Sequence, residues 1–165
     1  MTAPTFHDPA AAAFAEFLGL ALDRYEAVVA DCPVETLNWR PPAPETNSMF
    51  VLCVHAMGHL TQGVLGVLAG GPQERDRDAE FVAVATGQGL PTGWAKTREA
   101  MTGALADLTS ADLARTCHPI QREPMTGYQM LAMMQRHTSI HEGHIELTRD
   151  LAVAAREETG VGGRK

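Results

Sequence analysis

Along the chain, stretches with apolar residues three and four positions apart alternate with connections rich in proline, glycine or charge. A 3.6-residue recurrence of apolar positions is the signature of amphipathic helix, and no sustained apolar–polar alternation competes with it. Four helices are predicted. The first runs from Asp8 to Val29, where Asp8-Pro9 supply an N-cap and an N1 proline and Phe14, Phe17, Leu18, Ala21 and Leu22 recur at helical spacing. The second runs from Asn47 to Leu68, capped by Asn47 or Ser48 and stopped by Gly70-Gly71-Pro72. The third covers Thr92 to Asp107 and the fourth Thr126 to Glu157.

The connections are long. CPVETLNWRPPAPET is proline-rich and is expected to be extended or turned, with Leu37 and Trp39 folding back onto the helices. ERDRDAEF followed by GQGLPTG reads as a solvated loop with one short helical turn. LTSADLARTCHPIQREPMTG contains one helical turn capped by Ser110 and then an extended piece ending at Pro124. No internal repeat is visible. The simplest way to bury four apolar stripes is an all-α, antiparallel four-helix bundle with long connections. Residues 1–158 are expected to form one domain, and 159–165 a disordered tail.

Composition narrows the function. The 165 residues carry a net charge of −7 and no Lys/Arg cluster, which argues against a nucleic-acid partner because phosphate binding needs a basic patch. Cys32, Cys53 and Cys117 are odd in number and form no C-x-x-C, a pattern that fits a reducing cytoplasm better than a disulfide framework. The N-terminal MTAPTFHDPAAAAFAEF lacks a basic start, and Glu16 interrupts its apolar stretch, so it does not read as a signal peptide. Between Thr46 and Gln73 there is no Asp, Glu, Lys or Arg, a span long enough to raise the question of a membrane. Its polar Asn47, His55, His59 and Gln62, its glycines and the lack of flanking charge asymmetry favour a helix buried inside a bundle instead. The same uncharged face is long enough to serve both the core and a subunit contact, so a homodimer is expected.

The chemistry concentrates in the histidines. His137, His141 and His144 fall within a sector of roughly 60° on the fourth helix, on the stripe that also carries Met130, Met134 and Thr148. On the second helix His55 and His59 are one turn apart, near Leu52 and Gln62. Imidazoles at i and i+4 sit one above the other and can reach a single ion, and a third nitrogen from a facing helix completes the three-ligand set that catalytic metals use. Singly, a histidine on an apolar stripe is more often a hydrogen-bonded core residue than a ligand. Jointly, His55, His137 and His141 would each need a buried partner, and few such partners lie on these faces.

LNWRPPAPETNSMFVLCVHAMGHL, with its W-x-P, N-S and H in order, then RDRDAEF, then HTSIHEGHIELTR with an H-x-x-x-H-x-G-[QH]-I ending, together resemble the DinB-like (DinB/YfiT) superfamily of small metal-binding four-helix proteins. The resemblance covers about residues 10 to 155. It implies a metal triad of His55, His137 and His141. His144 stands where many members have glutamine and is expected to line the pocket or support a ligand; His59 has no fixed counterpart. Some relatives carry glutamate at the place of His137, so an all-nitrogen set here favours zinc or nickel over harder ions. Gln62, Met134 and Arg149 are further candidates for the pocket or its surroundings. For Arg149, a surface salt bridge with Glu146 or Asp150 is the competing expectation. Cys53, mid-helix in an apolar run, is expected in the core.

The resemblance also implies function. Members include S-transferases that use bacillithiol, mycothiol or glutathione, a mycothiol-dependent isomerase, and suspected hydrolases. The expected activity is therefore metal-dependent S-transfer from a low-molecular-weight thiol to a small-molecule electrophile. The alternatives are a hydrolase using the same ion, and a non-catalytic, stress-related binding or dimerisation module.

Overall fold

The computed structural model describes residues 4–161, with side chains up to residue 158. Its elements, in order, are α1 (Pro9–Val29), α2 (Val34–Asn38), α3 (Met49–Leu60) continued without a break by a π-helical segment (Thr61–Leu68), α4 (Arg77–Phe81), α5 (Trp94–Asp107), α6 (Ser110–Ala114), β1 (Thr116–Cys117), β2 (Met125–Thr126) and α7 (Gly127–Val161). The four long helices, α1, α3 with its π continuation, α5 and α7, make the antiparallel all-α bundle. α7 packs against both α1 and α3, and α5 closes the other side against α1 and the π segment.

Each long helix starts for a local reason. The Asp8 carboxylate accepts from the Ala10 and Ala11 amides at 2.8 and 3.0 Å, and Pro9 follows it, so two otherwise unpaired donors at the start of α1 are satisfied. Asp8 also accepts from the Ser110 and Tyr128 hydroxyls, tying α1 to α6 and α7. Ser48, not Asn47, caps α3 through the Val51 amide at 3.3 Å. Ser110 proves to be the first residue of α6 and not its cap. Thr109 caps it in a reciprocal box with Asp112, which frees the Ser110 hydroxyl for Asp8.

Of the two expected forms, extended or turned, the proline-rich connection takes the turned one over Val34–Asn38. Pro33 has φ −59, and that fixed angle starts a helical turn over Val34–Asn38. Leu37 is fully buried, while Trp39 is only partly covered. Asn38 brackets Ala85, donating to its carbonyl at 2.9 Å and accepting from its amide at 2.8 Å, so the first connection is pinned to the second. The strands β1 and β2 pair Thr116 with Thr126 and Cys117 with Met125, a ladder too short to leave a sequence pattern. α7 runs on to Val161, past the expected end at Glu157; residues 162–165 of the expected tail lie outside the described residues.

The core is built from Leu18, Leu22 and Tyr25 of α1, Met49, Leu52 and Cys53 of α3, Met101 and Leu105 of α5, and Met134 and Ile145 of α7. Each fully buried aliphatic or aromatic side chain contributes about 1.5–3 kcal/mol against exposure. Met49–Leu68 is long and apolar enough to cross a membrane by length and composition, but most of it is buried inside the bundle. Tyr25 sets the rotation of α7: its buried hydroxyl donates to the Thr138 carbonyl at 2.8 Å, next to His137. Burial raises the Tyr25 phenol far above its ordinary value, so it remains a donor.

Candidate metal centre

His55 and His59 of α3 and His137 and His141 of α7 meet where these two helices pack. The ring of His55 lies 5.2 Å from that of His137 and 5.1 Å from that of His141, centroid to centroid. His137 and His141 are 4.4 Å apart and nearly perpendicular, as expected for imidazoles one helical turn apart. One ring nitrogen from each of His55, His137 and His141 lies within 4.8 Å of the other two. Ions bind imidazole at about 2.0–2.1 Å, so a small inward adjustment of these rings brings all three to one centre.

The hydrogen bonding of the rings supports a ligand role. His137 Nε2 and His141 Nδ1 are buried and have no hydrogen-bond partner. Buried nitrogens are costly to leave unpaired, and a cation is the partner that accounts for both at once. His55 is arranged differently. Its Nδ1 lies 3.1 Å from Glu80 Oε2 and its ring is buried. Arg75 Nη2, which only donates, lies 3.2 Å from the same Nδ1, whereas the Glu80 carboxylate only accepts; a metal held on Nε2 would leave Nδ1–H to donate to Glu80. A carboxylate holding one imidazole nitrogen while the other faces an ion is the usual outer support of a metal-binding histidine.

Glu80 is in turn held by Arg75, whose Nε and Nη2 donate to Oε1 and Oε2 at 2.6 and 2.7 Å. Arg75 Nη2 also donates to the His55 carbonyl at 3.0 Å. Burial alone would raise the Glu80 carboxyl, but hydrogen bonds from His55 and Arg75 outweigh it and hold the group below its ordinary value. ERDRDAEF carries the expected short helical turn, α4, but this Arg75–Glu80–His55 chain corrects the expectation that the segment is solvated. α4 is one capped turn, with the Asp76 carboxylate accepting from the Ala79 amide, and it delivers Glu80 into the bundle. Gly58 makes the approach possible, because a Cβ there would collide with Glu80 Oε1. Nothing in the local pattern distinguishes Glu80 from its neighbour Glu74; only the packing of α4 on α3 does.

Protonation of the cluster is opposed. Burial first, and then the nearby Arg75 and the other imidazoles, lower His137 to about 3 and His59 and His141 to about 4. These rings are therefore neutral near pH 7, the form in which imidazole binds metals.

The other candidates are distributed around this centre. His59 is buried, stacks on His137 at 3.9 Å and has an unpartnered Nδ1, but it lies outside the three-nitrogen set. His144 is exposed, its ring 5.6 Å from His141, and lines a cleft with Leu52, Leu147 and Leu151. Gln62 lines a different cleft beside His59 and donates to the Gln73 carbonyl at 2.9 Å. Met134 is fully buried in the core against Gly63, where a Cβ would collide with its sulfur. Arg149 does not join the histidines. It pairs with Asp150 at 2.7 Å and lines a separate cleft with Cys32 and Thr36, because its position on α7 faces α1 and α2. Cys53 is buried in the core, and burial pushes its thiol up to about 12, which makes it a poor nucleophile.

A helical bundle in which two packed helices converge three imidazoles, two with orphaned nitrogens and one braced by a carboxylate, defines a bundle protein whose histidine site can hold a metal ion. The chain belongs to the DinB superfamily, which matches residues 18–145, a span that contains all five clustered histidines and Glu80. No curated protein matches the chain.

Proposed function

We propose that the protein is a metal-dependent enzyme that transfers a low-molecular-weight thiol to a small-molecule electrophile. The observation that carries this reading is that three imidazoles converge, with His59 outside the set among the described residues. Structural zinc normally takes four protein ligands, whereas three leave room for a reactant. His55, His137 and His141 would hold the ion, and zinc or nickel suits their nitrogen donors. When bound, the ion would keep a thiol as its thiolate at neutral pH.

The chain's own residues do the rest. Glu80 would hold the Nδ1 side of His55, and Arg75 holds Glu80 and the His55 carbonyl. Tyr25 holds the α7 backbone at Thr138, beside His137. His144, exposed at the rim of the apolar cleft, is positioned to accept the thiol proton. In the transfer, a carbon–sulfur bond forms as the bond to a leaving group, or one bond of a strained ring, breaks; the leaving atom takes the electron pair and either departs as an anion or, on ring opening, stays attached and takes up a proton. The reading places the protein in the cytoplasm, where reduced thiols are abundant, with small molecules as its partners and no role for nucleic acid or a membrane.

The test is turnover with a generic electrophile and each of bacillithiol, mycothiol and glutathione, using protein purified without a histidine tag. The reading expects product with one thiol and loss of that product in His141→Ala. Ester or amide cleavage without thiol transfer would identify a hydrolase, in which the same site lowers the pKa of water. Bound metal with neither reaction would identify a binding module.

A further inference from the structure

Beside the histidine centre lies a cleft of about 620 Å³, with His59 and Gln62 on its floor. One wall carries Gln73, Arg75 and Arg77, and the other carries Arg122. The Ile120 amide donates to Gln73 Oε1 at 3.3 Å, so the two connections that form the walls are stapled together. Gln121 sits in the left-handed region at φ 60, an unfavourable conformation for a residue with a side chain, just before Arg122.

The charges in this cleft are unbalanced. Arg75 is matched by Glu80, and Glu74 adds one further carboxylate. Arg77 lies 5.5 Å over the Phe81 ring, and among the described residues neither it nor Arg122 pairs with a carboxylate. On a chain of net charge −7, a concave site lined by two guanidiniums without a carboxylate partner among the described residues, against Glu74, is locally cationic, although Asp76 and Asp78 flank Arg77 in the adjoining cleft. His59, 5 % exposed with an unpartnered Nδ1, adds an unsatisfied polar group to the same lining. The cleft on the other side of the centre is unlike it. Of about 360 Å³, it is lined by Leu52, Leu147 and Leu151 around His141 and His144.

We infer that the arginine cleft binds the carboxylate of a small-molecule reactant, with Arg122 and Arg77 as its specificity-determining residues, while the leucine-lined cleft takes the apolar end of a reactant. Guanidinium is suited to this because its planar fork donates two parallel hydrogen bonds to a carboxylate. The inference rests on the reading of the histidine centre as a place where small molecules react. The carboxylate can belong to the thiol or to a sulfur-free substrate, and the two sources separate experimentally.

The experiment is ligand binding by the full-length, metal-loaded protein, followed by calorimetry and by the backbone amide signals of Gln73 and Arg122. S-methylglutathione is the thiol-derived probe, because its sulfur cannot become a thiolate; its diethyl ester, which keeps the ammonium group, is the carboxylate-free control, and succinate is the sulfur-free carboxylate. The acid is expected to bind at least roughly tenfold more tightly than the ester, as a charge-assisted hydrogen bond implies, and Arg122→Gln with Arg77→Gln removes that preference. A response to succinate alone also supports the site and assigns the carboxylate to the sulfur-free reactant. Equal binding of acid and ester, a preference that survives both substitutions, or no shift of these amides with either acid at millimolar concentration overturns the inference. Failure of thiol transfer is read separately, by turnover, and leaves this binding result standing.

Discussion

At the scale of single residues, the centre depends on groups that do not touch the ion. Glu80→Gln keeps the shape of the side chain but removes the charge that faces His55 Nδ1 and neutralises Arg75. Metal affinity is expected to fall by about 10–100-fold, as for other losses of such outer support, measured by competition with a chromogenic chelator. Unchanged affinity would show that His55 needs no brace. The lowered pKa values of His59, His137 and His141 make a second expectation. Each lies below the value near 6.5 expected in the unfolded chain, so between these limits the unfolded state binds more protons. Their contribution to the stability of the metal-free protein is fully present above pH 6.5 and is lost as the pH falls toward about 4 for His59 and His141 and about 3 for His137. A lower urea midpoint at pH 5 than at pH 7 is the expected result, and a higher one contradicts it.

At the scale of elements, the helix starts, the glycines and the histidine spacing explain why so much could be read from the chain. Asp8-Pro9 announces α1 because capping is a local interaction, and Asp8→Ala is expected to cost about 1–2 kcal/mol in denaturant unfolding. His137 and His141 were recognisable as a pair because helical periodicity alone stacks them. A second helix offered His55 and His59 on its apolar face, and the resemblance to the DinB-like superfamily pointed to His55. What stayed hidden depends on packing between distant segments. Glu80 looks like any other charged residue in ERDRDAEF, and the π segment after Leu60 has no distinctive composition. Arg149, chosen for its charge, faces α1 and α2 instead of the histidines. Gly58 links the two kinds of information. Gly58→Ala places a methyl where Glu80 Oε1 lies, so it is expected to weaken metal binding while leaving the helical circular dichroism in place. Metal binding equal to that of the native protein would contradict the close approach.

At the scale of the whole molecule, the bundle places the histidine centre between two unlike clefts, and exposed apolar side chains mark its outer surface. Phe17 and Leu20 on α1 and Ile140 and Leu147 on α7 are all exposed. We propose that such a surface supports a homodimer, for which light scattering should give twice the chain mass at micromolar concentration; a concentration-independent monomer mass would overturn it. The central claim is that the three imidazoles form a metal site. It is tested most directly by elemental analysis of the protein purified without a histidine tag, beside the His137→Ala and His144→Ala variants. About one zinc or nickel ion per chain is expected in the native protein and in His144→Ala, and none in His137→Ala. Metal retained at the native level in His137→Ala, with that variant folded, would contradict it.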